Sequence, residues 1–160
     1  MFNIALISFY VEDVYKRSKD KLVDQNGKPA FGHVKRVADS TFDLKLKTLA
    51  YLHDVIEDKV MTYDDVYMLL NLAYIGNEED KFNNIADVLD GLVCITRPID
   101  CKTDEEYFEY IKTLKSNEFA RKVKMLDLKS NIYHPYERKL TEKDVQRTVK
   151  YMRSLMMLEN

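Results

Sequence analysis

Turn-forming residues are scarce, since the 160-residue chain holds only four glycines and three prolines, about 4% of residues where a typical chain carries about 12%. A β-sandwich or barrel needs that punctuation between its short strands, so a mostly helical protein is expected. Charge of one sign is also lacking: 25 Lys and Arg oppose 27 Asp and Glu, a formal net charge of −2. With both signs interspersed, no whole-protein field is available to hold duplex nucleic acid or an anionic membrane, although a local basic pocket is compatible. No apolar run approaches the ~18 residues of a membrane span. The start, Met1-Phe-Asn-Ile-Ala-Leu-Ile-Ser-Phe-Tyr-Val-Glu-Asp13, has neither a basic lead nor a cleavage site, so a soluble, cytoplasmic protein is expected. Cys94 and Cys101 are the only thiols, too few for a disulfide framework and not spaced to bind a metal, so both are expected to be reduced. At this length one domain over residues 1–160 buries roughly 70% of its unfolded surface, enough for one core.

What is present reads as helices. Ile4, Leu6, Ile7, Phe9, Val11 and Val14 form an apolar stripe over residues 3–19, ahead of a loop, residues 24–33, that holds two of the four glycines. A short helix follows from Gly32 to Asp39. Ser40 or Thr41 is expected to cap a strongly apolar helix from Phe42 to Ile56, whose acidic end, Glu57 and Asp58, opposes the macrodipole. Further caps are Thr62 with Asp65, Asn77 or Asp80, Thr103 with Glu106, Asn117, and Thr141 with Asp144. The last opens a helix whose apolar face is expected to be Val145, Val149, Met152, Leu155, Met156 and Leu158. The expectation is an all-α, single compact bundle of about seven or eight helices, with no repeat and no dividing linker.

Only three histidines are present. His53 opens the run His-Asp-Val-Ile-Glu-Asp58. If the run is helical, His53 lies above Glu57 and Asp54 above Asp58, placing four polar groups at one end of an apolar segment. Burying such a cluster unpaired is costly, and a divalent cation would relieve the cost. The plainer alternative is a satisfied core histidine beside a solvated helix end. A second segment, Ala120 to Ile132, places Asp127 and Asn131 four residues apart on one side of a helix with core-like Val123, Leu126 and Ile132. His134 precedes Pro135 and is expected to be a surface or capping residue.

In order along the chain, His33, His53-Asp54 and Asp127 resemble the H…HD…D pattern of the HD-domain metal-dependent phosphohydrolases. Leu49-Ala-Tyr-Leu-His-Asp-Val-Ile-Glu-Asp58 is similar to the HDxxED signature of the RelA/SpoT-type (p)ppGpp hydrolase domain and of small stand-alone alarmone hydrolases. The likeness extends to Gly27–His33, Leu89–Arg97 and Ala120–Asn131, spanning roughly residues 15–133. It implies that His33, His53, Asp54 and Asp127 hold one divalent metal, Mn²⁺ in that subfamily. It implies that Glu57 and Asp58 position or deprotonate the attacking water, and that Asn131 contacts the nucleotide sugar. Lys28 and Arg97 flank motif segments and are the leading candidates for phosphate contacts, with Arg121, Lys122 and Lys124 behind them.

The chain departs from the resemblance around the nucleotide pocket rather than the metal. Ala30 stands where the family has Tyr before the first histidine, Val34 where it has Pro, and Leu22 where a basic residue is frequent, with Lys21 the nearest substitute. The expected activity is therefore nucleotide phosphohydrolysis, with (p)ppGpp 3′-pyrophosphohydrolase foremost. The alternatives are an HD-domain nucleotidase or phosphodiesterase acting on another nucleotide, and a non-catalytic nucleotide-binding protein. The expected partner is a small-molecule nucleotide, with no nucleic acid duplex and no membrane. A homo-oligomer is compatible with the sequence.

Overall fold

Helices start where a short polar side chain can close the first turn. In the computed structural model, which describes all 160 residues, eight α-helices follow in order. They are α1 (Ile4–Arg17), α2 (Phe31–Asp39), α3 (Leu44–Leu52), α4 (Tyr63–Ala73), α5 (Glu78–Ile95), α6 (Asp104–Thr113), α7 (Glu118–Tyr133) and α8 (Glu142–Glu159), with a 3₁₀ turn at Leu114–Ser116. No strand forms beyond two isolated bridges, Phe2 with Tyr74 and Val23 with Pro29. No helix is long and apolar enough to cross a membrane. Asn3, Asn77 and Asn117 each accept a first-turn N–H, and Thr62, Thr103 and Thr141 form full capping boxes with Asp65, Glu106 and Asp144. Each such cap is worth about 1 kcal/mol. The boxes expected from the sequence are all present.

The largest differences from the sequence reading lie at α3. Its cap is Asp43, which accepts from the N–H groups of Lys45 and Leu46, rather than Ser40 or Thr41. Thr41 instead accepts from the Asp43 N–H, and Phe42 lies 96% exposed outside the helix. At the other end the helix stops at Leu52 instead of running to Ile56. The His53 ring Nδ1 lies 2.6 Å from the Ala50 carbonyl, the acceptor that the Asp54 N–H would take in a continuing helix. Residues 53–60 proceed as consecutive turns, with Val55 N–H donating to Leu52, Asp58 N–H to Asp54, and Lys59 in the left-handed region at φ 57°. The regular helix has ended there, but Asp54 and Asp58 remain one α-turn apart through the Asp58 N–H to Asp54 carbonyl bond.

One cluster of 30 buried apolar residues joins the elements. α3 sits at its middle, contacting α1, α2, α5 and α7, while α7 also contacts α2 and α8. Gly91 on α5 lets α3 approach closely, since a Cβ there would meet Leu49 Cδ2 at 2.7 Å. Gly27, at φ 73°, makes the turn that lets Val23 pair with Pro29 and feeds α2. α8 bears out part of its expected face: Leu155 and Leu158 are buried, with Ser154 and Asp144, whereas Val145, Val149, Met152 and Met156 are more than half exposed. The helix carries two apolar stripes, and α6 and α7 cover only one of them. On α1 the inward face is Ile7, Val11 and Tyr15, while Phe9 is exposed.

Asp144 does more than cap α8. Its carboxylate accepts two hydrogen bonds from Arg138, at 2.7 and 2.9 Å, and two from the Thr141 N–H and hydroxyl. Arg138 above all, then the Thr141 N–H, hold its pKa well below the ordinary carboxylate range. A depressed carboxyl contributes stability that is complete above its unfolded pKa of about 3.9 and is lost as the pH falls toward the folded value. Asp144→Asn should therefore lower the Tm at pH 7, and the gap to wild type should narrow below about pH 4. Thermal melts of both proteins across that range check this. A gap that is independent of pH contradicts it.

Candidate metal centre

Two histidines and two aspartates from three parts of the chain meet at the end of α3. His33 is delivered by the first turn of α2, His53 by the end of α3, Asp54 by the next residue, and Asp127 by the middle of α7. His53 is 2% exposed and Asp127 is 5% exposed. His33 Nε2 is 2.9 Å from Asp127 Oδ1. His53 Nε2 is 3.1 Å from Asp54 Oδ2 and 3.8 Å from Asp127 Oδ1. Donor atoms of His33, His53 and Asp127 all lie within 4.8 Å of one another, and Asp54 joins the group through His53. Ligands about 2.1 Å from a shared ion sit ~3 Å apart when adjacent, so the two closest pairs already have the spacing of neighbouring ligands.

The decisive atom is His53 Nε2. With Nδ1–H donating to the Ala50 carbonyl, Nε2 carries a lone pair and faces two carboxylates that are also electron donors. It is buried and makes no hydrogen bond of acceptable geometry. A lone pair facing carboxylates is repulsive unless a cation sits between them, either a proton or a metal. For the proton, burial pushes the His53 pKa down, but Asp54 and then Asp127 outweigh it, and the value rises to about 9. A divalent ion satisfies the same geometry with more charge, and imidazole with carboxylate is a donor set that Mn, Fe, Zn and Ni accept. The residues present fit a metal.

Neighbours fix the donors in place. Lys124 Nζ, itself largely buried, bonds Asp127 Oδ2 at 2.8 Å, which leaves Oδ1 toward the histidines. Asn131 Nδ2 donates to Asp127 Oδ1 at 2.8 Å. Ser130 Oγ lies 3.4 Å from His33 Nδ1, on the side of the ring away from Asp127. Burial works against the charged form of Asp127, yet Lys124 and the histidines hold its pKa well below the usual range. Such supporting partners orient the ligands of a metal site.

The other expected residues divide. Asp54, Glu57, Asp58, Asp127, Arg97 and Asn131 line one cleft of about 320 Å³ with His33. Asn131, expected on the sugar, spends its amide N–H₂ on Asp127. Glu57 accepts the Arg97 backbone N–H at 2.7 Å and lies 3.6 Å from its guanidinium. Asp58 accepts one bond from the chain on its side chain, the Tyr15 hydroxyl at 2.7 Å. Burial raises the pKa of both Glu57 and Asp58. Lys28 lies outside this cleft and pairs with Glu137 at 2.5 Å. His134 caps α7 through its backbone, and its carbonyl accepts from Gln25. The sequence reading passed over Arg36, Arg147, Lys150 and Tyr151, all in the cleft wall. Three of these lie on α8, beyond every motif, and only the packing of α8 on α7 brings them there.

Binding of a metal to the folded chain alone should stabilise it by about 2.7 kcal/mol at a hundredfold excess over Kd, or about 5–10 °C in Tm. Mn²⁺ should produce that shift in the wild type and not in His53→Ala or Asp127→Ala, as a thermal melt with and without chelator will show. No shift with any divalent ion would contradict the site. No protein-family model matches the chain and no curated protein matches it, so the resemblance to HD phosphohydrolases stands on His33, His53, Asp54, Glu57, Asp58 and Asp127 themselves.

Proposed function

We propose that the chain is a metal-dependent phosphohydrolase of the HD superfamily acting on a small nucleotide, foremost as a 3′-pyrophosphohydrolase of a ppGpp-like alarmone. The observation that carries this reading is His53 Nε2, buried, without a hydrogen bond, and facing Asp54 and Asp127 beside His33. The cleft adds the second requirement of such a substrate. Arg36, Arg97, Lys124, Arg147 and Lys150 share its wall with the acidic cluster, so cations that suit phosphate charge lie in the same cleft as the candidate metal ligands. A cytoplasmic setting belongs to this reading.

A divalent ion held by His33, His53, Asp54 and Asp127, with Mn²⁺ foremost, would supply a water of lowered pKa and offset charge on the phosphoryl oxygens. Asp58 accepts the proton of the attacking water. Its carboxylate carries one hydrogen bond from the chain, whereas Glu57 is held by Arg97 at both oxygens, so Asp58 is the freer base and Glu57 the orienting group. The water oxygen forms the new bond to phosphorus, and the bond to the leaving oxygen breaks with its electron pair. Arg97 and Lys124 face the charge that develops. Burial suits both carboxylates to this work, because a raised pKa makes a stronger base near neutral pH.

The same chemistry on a different nucleotide is the second reading. It is favoured by Lys28 lying outside the cleft and paired with Glu137, and by Leu22 occupying the cleft wall where the family resemblance has a cation.

With purified protein and Mn²⁺, pyrophosphate release from ppGpp should be abolished by His53→Ala or Asp54→Ala. Asp58→Asn should lower kcat by about 10²–10⁴ while metal binding persists. The rate should climb with pH as the Asp58 carboxyl ionises, with its midpoint above the ordinary aspartate value of about 3.9, because burial raises that pKa. Product analysis over a panel of nucleotides separates the two readings. No turnover of any of them, or turnover indifferent to His53→Ala, overturns the proposal.

A further inference from the structure

Asp58 lies in the turns beyond α3, its backbone held by the bond from its N–H to the Asp54 carbonyl. The side chain that engages it comes from α1, because the Tyr15 hydroxyl donates to Asp58 Oδ2 at 2.7 Å. We infer that Tyr15 is a positioning residue for Asp58, holding one carboxylate oxygen so that the other meets the attacking water; this rests on the hydrolase reading above.

Tyr15 is well placed to hold a carboxylate still. It belongs to the buried face of α1 with Ile7 and Val11 and is 9% exposed. Its ring packs against Phe31 at 6.3 Å between centroids, and Phe31 stacks on Tyr51 at 6.4 Å and 19°. Phe31 lies two residues before His33, and Tyr51 two before His53. A single aromatic row thus ties α1 to the two segments that deliver the histidines, and the phenol at its end reaches the base. Burial, then the nearby Asp54 and Asp58, raise the phenol well above its ordinary range, so it remains a donor across the working pH. Tyr15 is not part of the metal-bearing cleft wall. It acts through Asp58 and does not touch substrate.

Tyr15→Phe removes one hydroxyl and keeps the aromatic row. Losing a hydrogen bond to a charged group corresponds to about a tenfold change. The variant should therefore lose about tenfold in kcat on ppGpp with Mn²⁺, with KM within about twofold and the Mn²⁺-induced Tm shift retained. Because the hydroxyl favours ionised Asp58, the acid limb of kcat should move to higher pH. In an Asp58→Asn background the Tyr15→Phe change should have no further effect on kcat. A purely structural role would lower the Tm and leave the pH limb in place, which overturns the inference, as does an unchanged kcat. A readout independent of turnover is the ¹H signal of the Tyr15 hydroxyl, which a hydrogen bond to a carboxylate shifts downfield and protects from exchange. If the signal shows this in the wild type and loses it in Asp58→Ala while the wild type hydrolyses no nucleotide, the positioning contact is supported and the hydrolase reading fails. If it does not respond to Asp58→Ala, the positioning role fails whatever the activity.

Discussion

A buried imidazole whose free nitrogen looks at two carboxylates is the constraint around which this fold is arranged. His53 occupies the position where α3 stops, and it contributes to that stop by lending its Nδ1–H to the Ala50 carbonyl. The same bond fixes which nitrogen faces Asp54 and Asp127. Geometry at the helix end and electrostatics at the site are one feature. Truncating the flanking Leu49 or Leu52, both fully buried, would cost about 2–5 kcal/mol, so the core holds this ring rigidly.

The surrounding charges show why the arrangement is tolerable. Asp54, Glu57, Asp58 and Asp127 gather within one cleft, and an acidic group of that density destabilises a fold unless it is compensated. Lys124 compensates Asp127, Arg97 compensates Glu57, and the Tyr15 hydroxyl serves Asp58. These partners come from α7, the α5–α6 connection and α1, so the site draws on most of the bundle. What remains are Asp54 and the His53 Nε2 it faces at 3.1 Å, a pair that a proton or a metal ion fits. The near-zero net charge of the sequence conceals a cleft in which acids and cations, Arg147 and Lys150 of α8 among them, are gathered together.

Much of this was legible in the sequence, and the illegible parts have physical causes. Scarce glycine and proline and the three Thr capping boxes pointed to the helical class and to most helix starts, because capping is a local interaction. His33, His53, Asp54 and Asp127 could be grouped because their order matched a known pattern. The end of α3 could not be read, since apolar periodicity continues through Val55 and Ile56 while a side-chain bond from His53 interrupts the ladder. On α8 the apolar positions form two stripes: Leu155 and Leu158 are buried as the sequence leads one to expect, whereas Val145, Val149, Met152 and Met156 face out, and only the packing on α6 and α7 separates the two. The contact of Tyr15 with Asp58 and the place of Arg147 in the cleft are illegible in the sequence for a different reason. One rests on a contact 43 residues away and the other on the packing of α8 on α7.

If His33 and His53 jointly hold a divalent cation between Asp54 and Asp127, both imidazoles must bind the ion through nitrogen. Electron spin-echo modulation of the Mn²⁺-loaded protein addresses this directly, since it detects imidazole nitrogens bound to the ion. Two coupled histidine nitrogens are expected in the wild type and one in His33→Ala. Bound Mn²⁺ with no nitrogen coupling would contradict that ligation.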